Sequence, residues 1–207
     1  MKPFTSLILA GLAVTCLASS APQAATVTVL LASPVDARLS LSANNKGLIY
    51  PLEYKKRSGP HSFAPGRHQF GVKVGSIVLN DSSRNLSEGS NYLLGITGPL
   101  GDLSLVWVKL DLAPAKGEAK LRLVNLMPDV TGIALKRGSD TLWENAPYRD
   151  TTASKSIAPG TMPIEVTRTD TNTVLVSDSR LNFEAGKTYT LIVFGPVGKP
   201  ELLNIEN

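Results

Sequence analysis

Phe63-Ala64-Pro65-Gly66 recurs 94 positions further along the chain as Ile157-Ala158-Pro159-Gly160. Three other pairs of segments recur in the same order, at offsets of 94 or 97 positions. They are Ser33-Pro34 with Met127-Pro128, Glu88-Gly89-Ser90-Asn91-Tyr92 with Ala185-Gly186-Lys187-Thr188-Tyr189, and Gly98-Pro99 with Gly195-Pro196. A period of this length corresponds to a whole domain rather than to one unit of a solenoid, so the sequence predicts an internal duplication.

The recurring segments carry turn chemistry. In Ala64-Pro65-Gly66 the proline fixes φ for the second turn position, and the glycine accepts the positive φ that follows. The glycines at 89 and 186 each precede a tyrosine by three residues. We predict that each tyrosine begins a central strand and that its hydroxyl bonds back to the backbone, as in a tyrosine corner.

Between these turns the chain consists of short runs with alternating or continuous apolar residues and shows no helical periodicity. Turn signals every 8–12 residues are typical of an all-β sandwich. We therefore expect two tandem immunoglobulin-like antiparallel β-sandwich domains. The predicted boundaries are a signal peptide at 1–25, an N-terminal sandwich at 26–112, a linker at 113–117 and a C-terminal sandwich at 118–207.

The sequence also predicts the conformation of three short segments. Residues 48–54 are expected to form a return strand at a sheet edge, because Pro51 cannot donate to a central ladder. Residues 55–60 are expected to form a loop. Residues 144–147, between Trp143 and Tyr148, look loop-like.

The N-terminus has the three parts of a secretory signal: Met1-Lys2, an apolar run at 4–17, and small residues at 18–25. The apolar run is too short to span a membrane, which takes about 20 residues. We therefore expect a periplasmic protein that does not span the membrane after signal removal. The single cysteine, Cys16, lies inside the signal, so the mature chain is expected to contain no disulfide.

Composition narrows the class of function. A chain of 207 residues with 43% hydrophobic and 18% charged residues is typical of a globular protein. Its formal net charge of +4 is too small and too scattered to indicate a nucleic-acid partner.

The sequence offers no catalytic, metal or cofactor site. The two histidines, His61 and His68, lie only in the first copy, and the second copy has Lys155 and Met162 at the corresponding positions. A nucleophile elbow of the G-x-S-x-G type does not occur. No cysteine or carboxylate cluster joins the histidines to make a metal site, so we expect surface histidines and no enzyme activity.

Five residues are candidates for contact with a partner or a polymer. Lys55, Lys56 and Arg57 form either a solvated loop or a contact for an acidic polysaccharide or the acidic face of a partner protein. Trp143 and Tyr148 bracket the loop-like stretch, where exposed aromatic rings would suit a protein or sugar contact. Trp107, flanked by two valines, is expected in the core instead.

Longer segments carry a resemblance to known families. Asn125-Leu126-Met127-Pro128-Asp129, Ile157-Ala158-Pro159-Gly160 and Asn182 to Leu191 resemble the small secreted β-sandwich module that is often found in tandem. Two copies behind a signal peptide are similar to the periplasmic AlgF family, and Phe63 to Gly66 with Leu86 to Leu94 resembles its first half. That family assists O-acetylation of exopolysaccharides such as alginate, and a relative serves acetylated cellulose.

The resemblance implies a non-catalytic periplasmic adaptor that contacts the polysaccharide acetylation proteins of the cell envelope and is built without a cofactor. The alternative is a periplasmic carbohydrate-binding module that contacts the polymer directly. It would act through the basic stretch at 55–57 or through Trp143 and Tyr148.

Overall fold

The computed structural model describes residues 21–110 and 116–206. Most of the predicted signal peptide and most of the predicted linker at 113–117 therefore lie outside the described residues. Within them the chain forms strands and one short 3-10 helix, Leu100–Asp102. The prediction of an all-β protein is confirmed.

The first half forms a sandwich of two four-stranded sheets. Its strands are β1 (Ala25–Leu31), β2 (Leu39–Ala43), β3 (Lys46–Ile49), β4 (Arg57–Phe63), β5 (Gly66–Val74), β6 (Ile77–Leu86), β7 (Asn91–Thr97) and β8 (Ser104–Lys109). The sheet orders are β4-β1-β7-β8 and β3-β2-β5-β6. Buried apolar side chains from both sheets meet between them, Leu41, Phe70 and Leu94 among them.

The second half repeats this arrangement. Its strands are β9 (Ala119–Leu126), β10 (Gly132–Arg137), β11 (Asp140–Pro147), β12 (Lys155–Ile157), β13 (Gly160–Thr161), β14 (Ile164–Arg168), β15 (Val174–Asp178), β16 (Asn182–Phe183), β17 (Thr188–Phe194) and β18 (Glu201–Glu206). The orders β12-β9-β17-β18 and β11-β10-β14-β15 match those of the first half, and β13 pairs with β16.

The duplication extends to the strand register. Gly66 pairs with Leu86 in the first half, and Gly160 pairs with Phe183 in the second, at the same offsets of 94 and 97. The long β5–β6 hairpin is split in the second half at Met162-Pro163, because proline has no backbone N–H to give to the ladder. Two tandem sandwiches from one duplicated unit therefore account for the fold.

One pair of strands in each half departs from the antiparallel pattern. β1 pairs with β7 in parallel, and β9 pairs with β17 in parallel. Parallel strands end at the same side of a sheet, so the segments that follow these four strands leave their sheets at corresponding ends.

Both predicted tyrosine corners are present. The backbone N–H of Ser87 donates to the Tyr92 hydroxyl at 3.1 Å, and that of Glu184 donates to the Tyr189 hydroxyl at 2.8 Å. Both tyrosines lie on the central strands β7 and β17. The glycine of each recurring Ala-Pro-Gly turn also has the expected positive φ, 126° in the first copy and 129° in the second.

A third apolar cluster joins the two halves. Leu30 and Leu93 from the first half pack with Leu126, Ile192 and Phe194 from the second, and all are buried. We call this set, with its buried neighbours, the interface cluster. It lies between the sheet that contains β1 and the sheet that contains β9, because those two sheets supply its members.

The interface cluster explains why β7 and β17 are apolar on both faces. Along β17, Leu191 and Val193 point into the core of the second sandwich, whereas Ile192 and Phe194 point into the interface cluster. Successive side chains of a strand alternate between faces, so a strand buried on both sides reads as a continuous apolar run.

Two local predictions are corrected. Residues 55–60 were expected to form a loop, but β4 begins at Arg57 and includes Gly59 and Pro60. Proline is tolerated there because β4 is an edge strand and its pairing with β1 is irregular between Val27 and Val29. The return strand expected at 48–54 lies at a sheet edge as predicted, but it spans only Lys46–Ile49.

We expect Leu93→Ala to lower the free energy of unfolding by about 2–5 kcal/mol, because it opens a cavity between the halves. Denaturant unfolding measures this loss. The control is Ile77→Ala, since Ile77 is 66% exposed and should give a change within about 0.5 kcal/mol. Equal effects from the two variants would contradict a shared buried interface.

We also expect Tyr189→Phe to lower the free energy of unfolding by about 1–3 kcal/mol, because the Glu184 N–H loses its acceptor in a partly buried site. Tyr54→Phe is the matched comparison. The Tyr54 hydroxyl is buried and has no hydrogen-bond partner among the described residues, so its removal should not reduce stability. The order of the two thermal midpoints tests both statements.

Candidate functional site

The four recurring proline turns meet at one place on the surface. Ser33-Pro34 follows β1, Gly98-Pro99 follows β7, Met127-Pro128 follows β9 and Gly195-Pro196 follows β17. β1 runs parallel to β7, and β9 runs parallel to β17. The sheets that contain these two pairs face each other across the interface cluster. The duplication therefore brings two copies of the same two turns together.

Hydrogen bonds across the junction hold these turns. The Gly195 N–H donates to the Ala32 carbonyl at 3.1 Å, and the Thr97 hydroxyl donates to the Leu126 carbonyl at 2.7 Å. Ala32 and Leu126 are 94 positions apart, so the same carbonyl of each copy is used. The Ser33 hydroxyl accepts from the Gly98 N–H at 3.0 Å, which ties together the two turns of the first half.

The turns enclose a small pocket of about 180 Å³, which we call the four-proline pocket. Its lining consists of Pro34, Pro99, Pro128 and Pro196 with Ser33, Gly98 and Asp129. Pro34 and Pro99 are exposed, and Pro128 and Pro196 are half-buried. Proline rings give apolar walls with no backbone donor, and Asp129 is the single charged group in the lining.

This pocket suits binding rather than reaction chemistry. Its hydroxyl, Ser33, is buried and already bonds to Gly98 and to Thr97. No histidine, lysine or cysteine lines it to act as a base or a nucleophile.

The predicted basic stretch divides between two roles. Lys55 forms an ion pair with Glu201 of the second half, and Lys56 pairs with Glu53. Arg57 is exposed on β4, where it lines an open depression of about 480 Å³ together with Lys56. Lys55 is thus a contact between the halves, and Lys56 and Arg57 are the members that face solvent.

Tyr54 lies beside Lys55 at the same junction. Its ring packs edge-on against Phe194 with centroids 6.4 Å apart. Burial raises the pKa of the Tyr54 hydroxyl, an effect that the positive charge of Lys55 opposes and the negative charge of Glu201 reinforces.

The two predicted aromatic contacts behave differently. Trp143 is only 8% exposed and belongs to the second core, so it cannot be the exposed aromatic contact for which it was a candidate. The stretch is strand β11, in which Trp143 pairs with Leu135 of β10 and lies in the second core. Tyr148, just after the strand, is half-buried, and the Arg149 guanidinium lies 4.7 Å from its ring centroid.

Arg149 extends from the second half to the first. Its guanidinium donates to Asp102 at 2.9 Å. The pKa of Arg149 is raised, chiefly by its hydrogen bond with Tyr148 and further by Asp102, while burial acts in the opposite direction.

The histidines lie apart from these surfaces. The ring of His68 bonds at 2.8 Å to the Asn44 amide and at 2.8 Å to the Ala64 carbonyl, so it braces the first Ala-Pro-Gly turn. The His61 ring lies 3.4 Å from the Ser58 hydroxyl, but no carboxylate bonds to it within residues 21–110 and 116–206. The pair therefore lacks the orienting acid of a catalytic triad.

Trp107, predicted to lie in the core, is only partly buried. Its ring packs against Phe70, with centroids 4.7 Å apart, at the border of the first core. In the described part of the chain, no three His, Cys, Asp or Glu side chains come close enough to hold a metal ion. Nor does any helix in that part have the length and apolarity to cross a membrane.

Comparison with known families matches residues 25–136 and 128–207 to the family described as a domain of unknown function, DUF4397. The chain belongs to the DUF4397 family. The two DUF4397 matches agree with the two structural copies. No match to a curated protein was found.

Among solved structures, the chain is similar to one described as a "putative cell adhesion protein" from Bacteroides uniformis ATCC 8492. The sequences are 8% identical, the alignment covers 91% of this chain and 98% of the other, and the TM-score is 0.30. A likeness at this level carries no argument about function.

Sequence reasoning missed the four-proline pocket of this DUF4397 protein, although its signal was present. The recurring Ser-Pro, Met-Pro and Gly-Pro pairs served only as markers of duplication. Their convergence depends on the parallel pairing of β1 with β7 and of β9 with β17, which an expectation of purely antiparallel sheets does not contain.

The ion pair between Lys55 and Glu201 predicts a coupling between the halves. Lys55→Glu should reduce stability by up to about 1 kcal/mol, and adding Glu201→Lys should restore most of the loss. A double-mutant cycle measured by thermal unfolding gives the coupling. Zero coupling would mean that the pair does not contribute to holding the halves together.

Proposed function

We propose that this protein is a non-catalytic adaptor of the cell envelope that serves O-acetylation of a secreted polysaccharide through contacts with other proteins. The observation that supports the proposal most directly is the four-proline pocket, a preformed apolar pocket without a reactive group. The N-terminal sequence pattern supports export to the periplasm.

The geometry of the four-proline pocket suits a protein partner. Its walls are proline rings, which lose little conformational freedom when a partner binds. A pocket of about 180 Å³ has room for one large apolar side chain, and buried anchors of that kind carry much of the binding energy at protein interfaces. Asp129 at the rim adds a charge that would pair with a basic residue beside the anchor.

The rigid junction supports the same role. The pocket is built from both halves, and the interface cluster fixes the halves against each other. An adaptor needs a fixed spacing between its contacts, and an apolar interface supplies it more reliably than a flexible linker.

Direct contact with the polymer is the second candidate. The exposed side chains of Lys56 and Arg57 along the edge strand β4 favour it, because a basic surface attracts an acidic polysaccharide. Titration of the purified protein and of its Arg57→Glu variant with the polymer tests this candidate. A module that binds the glycan along β4 should lose affinity in the variant, whereas the adaptor role depends on binding another envelope protein.

Deletion of the gene tests the proposed function. The secreted polysaccharide should lose its acetyl groups while its yield stays the same, because the adaptor acts on modification and not on synthesis. Acetyl content and polymer mass are measured from the same cultures. Unchanged acetylation in the deletion strain would refute the adaptor role.

Complementation with Pro99→Glu tests the pocket. Pro99 has φ −68° and ψ 161°, a conformation open to any residue, so the variant should fold. A charge in the pocket should weaken partner binding by about 30-fold or more and fail to restore acetylation. Leu100→Glu is the control, because it places the same charge one residue away on an exposed position outside the lining. Restoration by both variants would exclude the pocket as the contact.

A further inference from the structure

A second depression lies at the open side of the first sandwich. β6 and β8 are the edge strands of the two facing sheets, and both line it. The volume is about 440 Å³, more than twice that of the four-proline pocket. Arg149, from the second half, completes the lining, so we call this the two-arginine depression after Arg84 and Arg149.

The wall formed by β6 is polar where a sandwich normally presents apolar side chains. Asn80, Ser82 and Arg84 alternate along the strand and share one face. The Asn80 amide donates to the Leu103 carbonyl at 2.6 Å, and the Trp107 indole donates to the Ser82 hydroxyl at 3.2 Å. These contacts place the polar face towards the opposite sheet.

Arg84 is not neutralised by an acid. Its guanidinium carbon lies 5.8 Å from the centroid of the Tyr92 ring, a cation–π contact that positions the charge. Its Nε atom is buried and makes no hydrogen bond within the described residues, and Arg84 forms no ion pair there. A guanidinium in this state has hydrogen-bonding capacity left for an anion.

The second copy replaces one polar residue of this wall with an apolar one. Asn80 pairs with Val72, and Val176 pairs with Val166, the counterpart of Val72 at an offset of 94. Valine therefore occupies the position of Asn80 in the second copy, where it packs against the core. Trp107 corresponds to Asn204 by the same comparison. Trp107 pairs with Leu94, and Asn204 pairs with Leu191, the counterpart of Leu94 at an offset of 97.

Arg149 adds a second guanidinium group from the other half, and this group is paired with Asp102. Its backbone has φ 67°, and its guanidinium is held by Asp102 and against the Tyr148 ring. The lining itself contains no acidic side chain. Two guanidinium groups, hydroxyls of Ser82 and Ser104, and an indole thus surround one open depression.

This set of groups selects a ligand class. Guanidinium groups bind carboxylates through paired hydrogen bonds, and hydroxyl and amide groups bind sugar hydroxyls. The depression is open enough to admit a residue within a chain. We propose that the two-arginine depression binds a carboxylated sugar unit of an acidic polysaccharide.

This assignment rests on the proposed function, because it requires a secreted polysaccharide in the same compartment as the protein. It names a site distinct from the four-proline pocket and from the basic strand β4. The adaptor would then hold an acidic polymer at the first sandwich and a protein partner at the junction.

The test is a titration of the purified mature chain with a hexamer of galacturonate, followed by calorimetry and by Trp107 fluorescence in a Trp143→Phe background. A neutral glucose hexamer and sodium sulfate are the comparison ligands. We expect binding of the acidic hexamer, with at least about a tenfold loss in Arg84→Gln and in Arg149→Gln, since each removes charged hydrogen bonds.

Arg180→Gln is the matched control, because the Arg180 side chain is 90% exposed and lies outside the lining. It should bind the hexamer as the unmodified chain does. Thermal unfolding of each variant verifies that it is folded, and Arg84→Lys should retain part of the affinity.

Three results would overturn the assignment. They are no binding of the acidic hexamer, equal binding of the neutral hexamer or of sulfate, and an equal loss of affinity in Arg180→Gln. The outcome is separate from that of the gene deletion. Normal binding with unchanged acetylation would refute only the adaptor role, and absent binding with lost acetylation would refute only this site.

Discussion

Burial of the outer faces of two sheets against each other is the interaction on which the rest of the structure depends. Each sandwich has its own core, but Leu93, Ile192 and their neighbours have no place in either core and are buried only because the halves meet. A buried arginine crosses this contact: Arg122 bonds to Thr190 and to the Lys109 carbonyl. An apolar interface whose buried arginine is hydrogen-bonded to both halves fixes the two copies in a single arrangement.

That arrangement creates both candidate sites. The four-proline pocket takes two turns from each half, and the two-arginine depression takes its second arginine from the other half. Neither would exist in an isolated copy. The two copies share one framework but differ along this wall, where Asn80 of the first copy corresponds to Val176 of the second. Fusion of the copies thus creates surface features to which both halves contribute.

The two sites have complementary chemistry. One is small, apolar and rigid, which suits a side-chain anchor of a protein, and the other is wide and positively charged, which suits an acidic glycan. The proposed adaptor would use these two sites to hold a polymer and a protein partner at a fixed separation. Neither histidine lines these two sites. His68 is hydrogen-bonded to the first Ala-Pro-Gly turn, and His61 lies beside Ser58 on an edge strand.

The sequence by itself determined the duplication, the all-strand fold and the tyrosine corners, because turn residues and alternation are local properties that survive in single segments. Its predictions for residues 55–60 and for Trp143 were wrong, because an edge strand tolerates proline and because the irregular pairing of β11 with β10 places Trp143 in the core. Only the tertiary structure decided that β1 pairs with β7 in parallel, that Lys55 meets Glu201, and that Arg84 and Arg149 share one depression. Those contacts join residues 65 or more positions apart, and their geometry follows from how sheets pack, which no local pattern records.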